Sequence, residues 1–157
     1  MGIKFNIDEV LQMACQIEKN GAKFYREANE QIEGERSSDL LTKLASQEDQ
    51  HLETFEEMRT ELSGREVEED TYDPYNEASL YLKAMADGHV FDSKELSGDE
   101  SLNDIFKTAL QAEKDSIAFY VGLKEMVPDQ AGKDKMDNVI REEMQHVRWI
   151  VNEMKGE

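Results

Sequence analysis

Glu18, Glu48 and His51 recur 95 positions later as Glu113, Glu143 and His146. All six stand inside stripes of apolar residues spaced three or four apart, the face that an α-helix buries. A lone buried carboxylate is costly, or it neutralises by taking up a proton. Four such carboxylates on core faces need a common source of compensation. A fold that satisfies this chain must therefore bring the four together.

The stripes themselves give the helices. Ile7, Leu11, Ala14, Glu18, Ala22, Tyr25, Ala28 and Ile32 mark a first helix over about 7–32, with Asn6 as its N-cap and Gly34 just past its end. Leu41, Leu44, Glu48, His51, Phe55, Met58 and Leu62 mark a second, beginning near Ser37 or Ser38 and stopping at Gly64. Ile105, Ala109, Glu113, Ile117 or Ser116, Tyr120 and Leu123 mark a third over about 102–126. Met136, Val139, Glu143, His146, Ile150 and Met154 mark a fourth over about 134–155, with Pro128 and Gly132 punctuating the turn before it. Only 2 Pro and 9 Gly in 157 residues leave such helices uninterrupted.

Short connections within each pair predict two antiparallel hairpins. Between them, the acidic run Glu66, Glu68, Glu69 and Asp70 predicts a solvated loop. Asp73-Pro74 then opens a short extra helix over about 76–87, followed by Gly88 and by a turn at Ser97, Gly98 and Asp99. The fold class is all-α. It is a four-helix bundle of two hairpins with a long crossover carrying a short extra helix, the ferritin-like variant, in one domain over 1–157.

Glu48 and His51 are three residues apart, as are Glu143 and His146, so each pair shares a helix face. Four carboxylates carry four negative charges, which two divalent ions cancel. One Glu from each of two helices, with Glu-x-x-His from each of the other two, is the di-iron carboxylate arrangement. Oxygen-rich donors with one imidazole per metal suit iron or manganese. The expected metal ligands are Glu18, Glu48, His51, Glu113, Glu143 and His146.

The neighbourhoods repeat too. Glu18-Lys19-Asn20-Gly21-Ala22-Lys23-Phe24-Tyr25 parallels Glu113-Lys114-Asp115-Ser116-Ile117-Ala118-Phe119-Tyr120, and Gln50-His51 parallels Gln145-His146. These segments, with the crossover stretch Tyr81–Phe91, resemble the rubrerythrin branch of the ferritin-like superfamily over essentially the whole chain. The resemblance implies a bundle with a bridged centre of two iron ions (manganese or zinc as substitutes), a homodimer, and reduction of hydrogen peroxide or dioxygen. It also shows two departures. Rubrerythrins typically carry a rubredoxin domain with paired Cys-x-x-Cys motifs, whereas this sequence has one cysteine, so electrons are expected from an external donor protein. They also carry a further glutamate three residues after the third-helix ligand, where this chain has Ser116. The same centre could serve iron oxidation, storage or buffering. A metal-free helical interaction module is the remaining alternative.

Charge narrows the partners. A net charge of −18 repels phosphate, so neither nucleic acid nor an anionic membrane surface is expected. Met1 to Asn6 contain no apolar run of a signal peptide, and no stretch approaches a membrane span. With Cys15 as the single cysteine, disulfide pairing within the chain and cysteine-based clusters are excluded, and a cytoplasmic setting is expected. Cys15 and the eight Met are expected to pack in the core.

Other residues carry two interpretations each. Tyr25 and Tyr120, seven residues after Glu18 and Glu113, either hydrogen-bond ligand carboxylates or are ordinary core tyrosines. Gln47 and Glu142 lie four residues before the histidines and could orient them, although a surface role is preferred. His89 could meet incoming metal, but a loop histidine is more often simply exposed. Trp149 is expected at the bundle end or on a dimer surface.

Overall fold

The computed structural model describes residues 6–63, 77–87 and 95–156. Among them are five α-helices and no strand: α1 (Ile7–Gln31), α2 (Glu35–Ser63), α3 (Glu77–Asp87), α4 (Leu102–Met126) and α5 (Gln130–Met154). Gly64, the acidic run Glu66 to Asp70, Asp73-Pro74, Gly88 and His89 lie outside the described residues. None of the helices is long and apolar enough to cross a membrane.

Three of the long helices begin where side chains satisfy their free backbone N–H groups. The Asn6 side chain accepts from the Glu9 N–H. Ser101 and Asp104 exchange bonds in a capping box at the start of α4. Asp129 accepts from the Gly132 N–H at the start of α5. That last cap corrects the expected boundary. The sequence placed the start of α5 near Asp134 and treated Gly132 as part of the turn, whereas the helix begins at Gln130. Gly132 sits in its first turn because nothing larger fits. A Cβ there would lie 2.5 Å from Val127 Cγ1 and 2.6 Å from Asp129 Oδ1. Likewise α2 begins at Glu35, directly after Gly34, whose φ of 127° reverses the chain.

α1 packs chiefly on α2, and α4 on α5; α1 also meets α4, and α2 meets α5. The result is two antiparallel hairpins face to face, the ferritin-like arrangement. α3 lies against α4. Its Leu82 is fully buried, and the Tyr81 hydroxyl donates to the Ala118 carbonyl at 2.5 Å.

The apolar core is in two pieces. One contains Leu11, Ile17, Phe55, Met58, Phe119, Leu123, Met136 and Ile140. The other contains Phe24, Ala28, Leu41, Leu44, Ile105, Phe106 and Ile150. On each of the four long helices buried ionisable residues stand between the two clusters: Glu18 on α1, Glu48 and His51 on α2, Glu113 on α4, Glu143 and His146 on α5. A polar layer thus crosses the middle of the bundle.

Gly132→Ala is expected to destabilise the protein by about 1–3 kcal/mol, because the added methyl displaces buried Val127 and the capping Asp129 together. Urea unfolding measures it. Unchanged or higher stability would show that this corner has room to spare.

Candidate metal centre

Each helix sets its polar residues inward by ordinary periodicity, because the stripe that buries Leu and Phe above and below also buries the position between. Glu18, Glu143 and His146 are fully buried, and Glu48, His51 and Glu113 are at most 4% exposed. The two imidazoles stack with centroids 5.7 Å apart. Their Nδ1 atoms face the carboxylates. His51 Nδ1 lies 2.7 Å from Glu143 Oε1 and 3.5 Å from Glu18 Oε1. His146 Nδ1 lies 3.4 Å from both Glu48 Oε1 and Glu113 Oε1, and 3.6 Å from Glu143 Oε2.

All six predicted residues come together, in two overlapping sets able to hold a metal ion. One set is Glu18, Glu48, His51 and Glu143; the other is Glu48, Glu113, Glu143 and His146. Within each, the donor atoms lie within 4.8 Å of one another. Glu48 and Glu143 belong to both sets, so they are the residues that two ions would share.

The donor chemistry fits cations. Glu18 Oε2, His51 Nδ1, Glu113 Oε2, both oxygens of Glu143 and His146 Nδ1 are buried without a properly directed hydrogen-bond partner among the described residues. Natively buried polar atoms are normally paired, so a concentration of unpaired acceptors at one point calls for an electrophile. Two divalent ions would supply it.

In the metal-free chain, protons do part of that work. Burial alone would depress the histidines, but Glu143 and Glu18 outweigh it and push His51 up to about 11. Glu113 and Glu143 likewise push His146 up to about 10. Burial, then the Glu113 and Glu18 carboxylates, raises Glu143 well above the usual carboxylate range. Burial also raises Glu18. Glu113 resists burial through its polar contacts with Glu143, His146 and Tyr25, and stays below the ordinary value.

The outer contacts cross between hairpins. The Tyr25 hydroxyl donates to Glu113 Oε1 at 2.5 Å, and that of Tyr120 to Glu18 Oε1 at 2.6 Å. This settles the two interpretations of the tyrosines in favour of bonding to the carboxylates. Burial, then the neighbouring carboxylate, keeps each phenol well above its usual pKa, so it remains a donor. Gln47 and Glu142 are corrected from a surface role: Glu142 Oε2 lies 2.6 Å from His51 Nε2, and Gln47 Oε1 lies 2.6 Å from His146 Nε2. Each partners the histidine of the opposite hairpin. Since both oxygens are acceptors, the Nε2–H groups donate, so Nδ1 is the nitrogen that would offer a lone pair to metal once its proton is lost. Their signal in the sequence was the shared 95-residue register; local spacing pointed to the wrong histidine.

Trp149 is half-buried and stacks on His146 at 5.5 Å, while Lys43 Nζ sits 3.6 Å from the indole centroid. It is part of the centre's wall as well as its surface. Ser116 bonds back to the Ala112 carbonyl at 2.9 Å and offers no carboxylate. Cys15 is buried in the apolar core.

Two outcomes follow from this geometry. Stability of the metal-free protein is expected to fall as pH rises from about 6.5 to 10. Histidines with raised folded pKa values contribute stability that is complete below the unfolded value of about 6.5 and lost on approach to the folded one, and the raised Glu18 and Glu143 act in the same direction. Metal-loaded protein should not show the fall, because cations favour the deprotonated donors. Thermal melts of both forms decide the matter; parallel profiles would refute a shared buried cluster. Secondly, Glu48→Ala or Glu143→Ala should remove most metal binding, whereas Tyr120→Phe should weaken it only about 10- to 100-fold, read by chelator competition. Equal losses would mean that the bridging and supporting roles are misassigned.

The comparisons with known proteins agree with this architecture. The family model named Rubrerythrin matches residues 9–153. No curated protein sequence matches the chain. Among solved structures, a Thermotoga maritima protein, provisionally called a ferritin-like diiron-carboxylate protein, superimposes with a TM-score of 0.70 at 23% identity, covering 99% of this chain and 98% of that one. At that identity the likeness speaks for the fold. A buried cluster of four glutamates and two histidines, on helices matched along nearly their whole length by one family model, places the chain in the rubrerythrin family.

Proposed function

We propose that this protein is a non-haem di-iron oxidoreductase that reduces hydrogen peroxide or dioxygen with electrons from an external donor protein. The observation that carries this reading is the pair of overlapping donor sets sharing Glu48 and Glu143. Three carboxylates and one imidazole per set suit iron, with manganese or zinc as substitutes. Glu18, Glu48, His51, Glu113, Glu143 and His146 are the ligands in this reading.

Two ferrous ions so held would supply one electron each, matching the two electrons and two protons that turn one hydrogen peroxide into two waters. The protein's part is positional. Glu48 and Glu143, common to both donor sets, would hold the two ions side by side. Tyr25 and Tyr120 hold Glu113 and Glu18 in place. Apolar layers on either side limit water around the centre. The single thiol, buried as Cys15, suits a reducing compartment such as the cytoplasm. Exposed Leu80, Tyr81 and Val121, on the adjoining α3 and α4, offer an apolar face for a homodimer.

Iron-reconstituted protein is expected to hold about two ions per chain. After anaerobic reduction it should consume one hydrogen peroxide per centre, and with a chemical reductant it should turn over repeatedly. Elemental analysis and stopped-flow absorbance test both points. One ion or none would sink the two-metal reading. A large hollow particle holding far more than two irons per chain would favour storage instead.

A further inference from the structure

The internal repeat makes the two halves of the centre nearly alike, and two departures from it fall on the same side. Position 47 is the repeat counterpart of position 142, yet one holds an amide and the other a carboxylate. Because these side chains cross over, His51 donates to the Glu142 carboxylate and His146 to the Gln47 amide, both at 2.6 Å. A hydrogen bond to a carboxylate is charge-assisted and makes the imidazole a stronger donor at its other nitrogen. An amide oxygen does so less. The second departure is at Trp149, whose repeat counterpart is Thr54. Trp149 stacks on His146 and also carries the Lys43 ammonium group over its ring, so a lysine cation sits on the His146 side of the centre. Each metal group contains three carboxylates and one imidazole, so the six donors themselves do not distinguish the two positions.

We propose that the two metal positions are inequivalent: the one at His51 fills first and the one at His146 second. Negative charge behind His51 strengthens the first position. A neutral partner and a nearby ammonium group weaken the second. Glu142 is a positioning residue, acting on the metal through His51. This inference rests on the metal-centre reading above and goes beyond it, since that reading holds whether the positions fill together or in order.

Zinc is a suitable probe, being divalent, diamagnetic and without redox chemistry. Metal-free protein is titrated with Zn²⁺ while the ring nitrogens of His51 and His146 are followed by long-range proton–nitrogen correlation spectra. Calorimetry counts the ions bound. The expected result is that the first equivalent shifts the His51 signals and the second shifts those of His146, with affinities about 10- to 100-fold apart. Glu142→Gln should narrow the gap by weakening the first step, and Gln47→Glu should narrow it by strengthening the second. If both rings respond together from the first addition, or if His146 responds first, the inference is overturned while the metal centre stands. It is also overturned if the gap is unchanged in both variants. Two equivalents of zinc with no ring shift and no heat would overturn the metal centre itself, and the inference with it.

Discussion

Four carboxylates in the middle of an apolar bundle set the terms for everything around them. Hydrophobic burial organises the long helices, but it cannot pay for Glu18, Glu48, Glu113 and Glu143. The layer is tolerable only with positive charge beside it. Two histidines provide part of this, and protons on the more strongly destabilised carboxylates another part. Two divalent ions would provide all of it. Helix length, hairpin pairing and the break in the core follow from delivering these side chains to one plane.

The supporting contacts share one geometric habit. Tyr25 on α1 serves Glu113 on α4, and Tyr120 on α4 serves Glu18 on α1. Gln47 on α2 serves His146 on α5, and Glu142 on α5 serves His51 on α2. Each hairpin orients the polar groups of the other. The exchange is what an approximate two-fold axis through the centre produces. The differences between its halves, amide against carboxylate and indole against hydroxyl, are then the places where chemistry can depart from symmetry.

Much of this was legible in the sequence because it is periodic. The inward faces of Leu41–Leu62 and Ile105–Leu123 follow from three- and four-residue steps, and their interruption by Glu and His gave the cluster. The cap at Asn6 sits where a short polar side chain precedes an amphipathic run. What was not legible depends on contacts between distant segments. Gly132 looks like a helix breaker until Val127 and Asp129 are seen to occupy the space of its missing Cβ. Gln47 is on the edge of its helix face, half-buried, and only the opposing hairpin shows that it touches an imidazole. Trp149 was expected at the bundle end or on a dimer surface, because no local pattern predicts that its ring stacks on His146.

Every donor set draws on both hairpins. Glu18, Glu48 and His51 come from the first and require Glu143 from the second, while Glu113, Glu143 and His146 require Glu48 in return. Neither hairpin alone contains a complete set, whatever its helical content. Occupancy of either position therefore registers one event, the docking of the two halves in the correct alignment. A slip of one helical turn would set glutamates against leucines and separate the donors. The layer that weakens the core thus also acts as its alignment mark, recognising the correctly assembled bundle and no other.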